Sequence, residues 1–159
     1  MKELFLQVPA LIVFLHVISA VIWVGGMIAI RFAVHYSMQN ILEPKIKLGR
    51  TLENLKRFFN MLLPFIALLL ITALILIFGL EFKDTPLNKF VHMKESIWIA
   101  MTLIYITVYV KRNKAQKAFD EEDFKEAKKQ LAPIAKIYIP LNIFLGLVAI
   151  YLGVTLRGF

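Results

Sequence analysis

Four long apolar runs, at about 4–34, 58–80, 90–110 and 131–156, dominate the chain, and the stretches between them hold most of its charge. A helix needs roughly 20 consecutive apolar residues to cross the hydrocarbon core of a bilayer, and each run meets that length. The sequence therefore predicts an all-α integral membrane protein: a four-transmembrane-helix bundle forming a single membrane domain over residues 1–159. Hydrophobic residues make up 59% of the chain, beyond what a soluble core requires, so lipid is the solvent for most of it. A cleavable signal peptide would have an apolar region of only about 7–15 residues. The first run is longer and carries His16, Trp23 and Arg31.

Orientation follows from Lys and Arg, which short loops retain on the cytoplasmic side. The first connection holds Lys45, Lys47, Arg50, Lys56 and Arg57, and the third holds Lys111, Arg112, Lys114, Lys117, Lys125, Lys128 and Lys129. The termini and the middle loop, EFKDTPLN, offer only Lys2, Lys83, Lys89 and Arg157. Both basic connections are thus expected in the cytoplasm and both termini outside. The net charge of +8 then reflects topology and attraction to anionic lipid, and nucleic acid is not an expected partner.

The connections carry structure of their own. Ile46, Leu48, Leu52, Leu55 and Phe58 recur as on an amphipathic helix, predicting an extension packed at the membrane face. Residues 111–130, rich in charge and Ala, suit a solvated helical hairpin. Pro64 removes one hydrogen bond from the second span, a cause of kinks. Cysteine is absent, which excludes disulfides and thiolate ligands and leaves His, Met, carboxylates or a bound cofactor for any metal or redox role.

The candidate site residues lie in the first and third spans. At 100° per residue His16, Trp23 and Met27 share one face. Counted from Leu4, His16 lies roughly 18 Å along the axis, near mid-bilayer. An ionisable group at that depth faces protein, water or a cofactor. It reads either as a neutral imidazole bonded to a neighbouring helix or as an axial ligand to haem iron. Gly25, Ala29 and Ala33 form a small-residue ridge for packing, and Gly26 leaves room beside Trp23 for a flat ring. Gly146, Ala149 and Gly153 give the fourth helix a similar smooth face.

In the third span, Lys94, Trp98, Met101 and Tyr105 form one stripe, with His92 and Glu95 beside its outer end. Lys94 reads either as an interfacial side chain paired with Glu95 while Trp98 joins the aromatic belt, or as a clamp for a propionate or substrate carboxylate. In the second reading His92 becomes a second ligand or proton carrier. Arg31 and His35 read as interface anchors or phosphate contacts.

His16, followed by Trp23 and Gly26, and a later His92-Met93-Lys94 opening a helix, resemble the superfamily of small bacterial membrane proteins that includes the HemJ-type protoporphyrinogen IX oxidases and the CopD-type copper-resistance proteins. The resemblance covers about half of the chain. It implies a haem b cofactor with His16 as ligand, a functional Lys94 and a pocket lined by Trp23. The segment GGMIAIRFAVHY lacks the Pro-Arg pair of the HemJ type, and Trp-Val-Gly-Gly is similar to the CopD side.

The expected function is that of a haem b-binding membrane redox protein, which oxidises a porphyrinogen-like substrate or passes electrons between quinone and a partner protein. The pocket would comprise His16, Trp23, Gly26, Met27, His92, Lys94 and Trp98, with His16 and His92 on the metal. The alternatives are a copper-handling protein using His16, Met27, His92 and Met93 or Met101, and a structural subunit without ligand. The bacterial inner membrane is the expected location, as a multi-pass protein, and a homo-oligomer is left open.

Overall fold

The computed structural model describes residues 1–80 and 88–156. A short α1 (Lys2–Gln7) precedes α2 (Pro9–Ala29), which continues through a π-helical turn (Ile30–Val34) into α3 (His35–Gln39). Next come α4 (Pro44–Leu80), α5 (Asn88–Asp120) and α6 (Phe124–Pro133); a second π turn (Ile134–Tyr138) leads into α7 (Ile139–Thr155). Four continuous helical stretches, Pro9–Gln39, Pro44–Leu80, Asn88–Asp120 and Phe124–Thr155, are long and apolar enough to cross a membrane. The chain is an all-α four-helix membrane bundle, and no strand occurs among the described residues. Of the loop EFKDTPLN, residues 81–87 lie outside the described part.

The first span begins later than its apolar run. Pro9 fixes its own φ and lacks an N–H, which suits the first turn of a helix, while Val8 before it leaves helical geometry at φ −139° and ψ 54°. The chain therefore breaks between α1 and α2. α1 turns back onto the end of α4, where the Phe5 ring fills the space a side chain at Gly79 would need. Pro64, by contrast, is accommodated inside a continuous α4.

At 37 residues α4 is about 55 Å long, well beyond the roughly 30 Å of a hydrocarbon core. Its first three turns extend past the apolar span, and the end of α5 extends beside them. Leu48, Leu52, Leu55 and Phe58 are buried there together with Ala115, Ala118, Ala127 and Leu131, whereas Ile46 stays exposed. The extension has a core of its own, as the apolar spacing predicts. Arg112 is buried across this seam and donates to the Leu52 carbonyl of α4 from Nε (3.2 Å) and Nη2 (3.1 Å), and to Gln116 Oε1 at 2.7 Å.

The expected hairpin forms between α5 and α6. Glu122 takes up positive φ at 62°, and Asp123 caps α6 by accepting a hydrogen bond from the Glu126 N–H at 2.9 Å. Within the bundle, Tyr105 donates to the Phe59 carbonyl at 2.9 Å and Asn142 donates to the Met101 carbonyl at 3.3 Å, tying α5 to both neighbours. Gly146 admits Val24 of α2 and Met101 of α5 against α7.

Candidate functional site

The start of α2, the end of α4, the start of α5 and the end of α7 meet at one end of the bundle, opposite the basic extension. His16, seven residues into α2, lies about 10 Å from the start of that helix. This is shallower than a span beginning at Leu4 would place it, because the break at Val8 moves the helix start. Its Nδ1 is 3.0 Å from Thr72 Oγ1 of α4, and Thr72 is fully buried. The Thr72 hydroxyl has already committed its proton to the carbonyls of Leu68 (2.7 Å) and Leu69 (3.1 Å). It is then suited to accept from the Nδ1–H tautomer of His16, in which Nε2 carries the lone pair. A ring nitrogen held in this way is what orients a metal-ligating histidine.

Lys94, from the second turn of α5, is half-buried at the same end of the bundle. Its Nζ runs against α7 at Gly153, 3.1 Å from where a Cβ would stand. A side chain at Gly153 would make the ammonium shift by a few tenths of an ångström. Among the described residues Lys94 has no ion-pair or hydrogen-bond partner. Glu95 is taken by His92, whose Nδ1 lies 2.9 Å from its Oε2. The expectation that Glu95 neutralises Lys94 does not hold, because successive helical residues diverge by 100° while His92 and Glu95, three apart, share a face.

The face of His16, Trp23 and Met27 turns inward, with Trp23 and Met27 each 1% exposed. The stripe on α5 turns inward as well, burying Met101 and Tyr105. The indole N–H groups of Trp23 and Trp98 are both buried without an acceptor among the described residues. His92 is exposed, and Met93 beside it is 49% exposed. The structure thus brings His16 and Lys94 together and does not bring His92 to them. Among the described residues no group of three or more His, Asp or Glu is arranged to hold a metal ion.

Tested against a haem, the donor set fits in part. One imidazole with a free nitrogen, one unpaired ammonium and an orphaned indole N–H suit an iron and an anionic substituent. The slot expected beside Gly26 is filled: the Phe58 ring stands 2.5 Å from where a Cβ would be. Thr72 is the site residue that sequence reasoning passed over. Its signal was its rarity, since it and Asn60 are the only hydroxyl or amide side chains in the second span.

The fold and this cluster define a class: a small multi-pass helical membrane protein with an ionisable site built between its spans. Comparisons with protein-family models, with curated proteins and with solved structures found no match.

Proposed function

We propose that this chain is a haem b-binding redox protein of the bacterial inner membrane, in which His16 would hold the iron. The observation that carries the proposal is the occurrence of two groups at one end of the bundle: an imidazole bonded at Nδ1 to Thr72, and an ammonium with no ion-pair partner among the described residues. When bound, haem supplies a one-electron iron couple, which suits electron transfer between quinone and a partner protein or oxidation of a porphyrinogen-like substrate.

The chain's own residues divide the work. Thr72 orients His16. Lys94 offers its ammonium to a propionate or to a substrate carboxylate, an interaction strengthened by partial removal from water. Trp98, a turn further along α5, holds a buried N–H without an acceptor among the described residues. The copper reading would use His16, Met27, His92 and Met93 or Met101; of these His92 and Met93 are exposed, away from the buried Met27 and Met101.

The test is a pyridine haemochrome spectrum of the protein purified from membranes in mild detergent. The b-type spectrum at about one haem per chain is the expected result. Stoichiometric copper without porphyrin would replace the proposal with the metal-handling alternative, and neither would reduce the chain to a structural subunit.

A further inference from the structure

At the opposite end of the bundle the described residues line a half-open cavity of about 420 Å³. Its walls come from three parts of the chain. Arg31 and His35 project from the first π turn and α3, Lys47 from the start of α4, and Lys128 and Lys136 from α6 and the second π turn. No Asp or Glu lines it. Lys47 donates to Gln39 Oε1 at 2.7 Å, whereas Arg31, Lys128 and Lys136 have no ion-pair partner among the described residues. Arg31 only leans on aromatic rings, with its guanidinium carbon 5.8 Å from the Phe32 centroid and 6.0 Å from that of Tyr36.

Positive-inside topology alone would scatter such charges over loops. Here they converge on one concavity, and the two π turns among the described residues border it. A π turn inserts one extra residue, rotating the side chains on its two sides by about 100° relative to a regular helix. Two independent helices depart from regularity where they supply Arg31 and Lys136. The rest of the lining is apolar, with Ile30, Val34, Leu131 and Ile139 continuing toward the membrane-spanning part.

We propose that this cavity binds the phosphate headgroup of an anionic phospholipid from the adjoining leaflet. The charge answers the phosphate, the apolar walls answer the first part of the acyl chains, and the position at the end of the spans gives a lipid entry from the bilayer. A soluble phosphate compound would satisfy the charge but leave the apolar lining without a partner.

The experiment uses the full chain purified in a neutral detergent, with phosphatidylglycerol as the probe and native mass spectrometry and thermal shift as readouts. Wild type is expected to retain the lipid and gain thermal stability from it. Arg31→Gln with Lys136→Gln is expected to weaken binding about 10- to 30-fold. Lys114→Gln with Lys125→Gln removes equal charge away from the cavity and is expected to leave binding unchanged. Ala135→Leu takes up part of the cavity, keeps every charge and is expected to weaken lipid binding. Equal losses in the two charge pairs would overturn the site. Stabilisation by inorganic phosphate as large as that by phosphatidylglycerol would overturn the lipid as its ligand.

Discussion

A lysine half-buried in a membrane domain either reaches water along its four-carbon stem or holds an anion. Lys94 lies against Gly153, beside His16 and away from Glu95, which favours the second role. Lys94→Met is expected to keep the fold and most of the haem while lowering turnover or substrate affinity, by an interaction worth about 1.5–3 kcal/mol. Lys94→Arg should recover only part, because a planar fork does not replace a compact ammonium in a confined place. Haem content by absorbance and a redox titration check both; a Lys94→Met protein identical to wild type in spectrum, potential and activity would make this lysine an interface anchor. Thr72 acts one step back. Thr72→Val keeps the shape but removes the acceptor for His16 Nδ1–H, so haem retention on dilution should fall about 10- to 100-fold. Unchanged retention would mean that His16 is oriented by something else.

The helices themselves were largely legible in the sequence, since long apolar runs and a 3.6-residue period leave few alternatives. The buried set Leu48, Leu52, Leu55 and Phe58 follows directly from spacing, and so does the inward stripe that ends at Tyr105. What spacing does not contain is partnership. Nothing local to Gly26 says that Phe58, thirty-two positions away, fills its slot, and nothing local to His16 singles out Thr72. The π turns were equally hidden, because they arise where packing between helices demands one extra residue. Arg112 shows the same limit: it was legible as a topology signal, yet it bonds the α4 backbone across the extension. Arg112→Ala is expected to destabilise the protein by about 2 kcal/mol, with thermal or denaturant unfolding in detergent as the check. A change within a few tenths of a kcal/mol would show that the apolar seam alone holds α4 to α5.

For the molecule as a whole, the bundle has a basic end with the hairpin and the phosphate-suited cavity, and an opposite end with the His16–Lys94 site. The α1 turn and the end of α7 both lie at the latter end, as an even number of crossings requires. A reporter fused after Gln116 should behave as cytoplasmic and one after Asp84, outside the described residues, as external; the reverse pattern at both would open the His16 site toward the cytoplasm. The central claim concerns His16 itself. Its most direct test is the absorption spectrum of purified wild type beside His16→Ala, each confirmed to be helical. Insertion depends on span hydrophobicity, which Ala preserves, so the variant should reach the membrane intact. The account predicts a Soret band in the wild type that shifts on reduction and is absent from the variant. A variant with the full, unchanged spectrum, or a wild type that takes up no haem even when haemin is supplied, would contradict it.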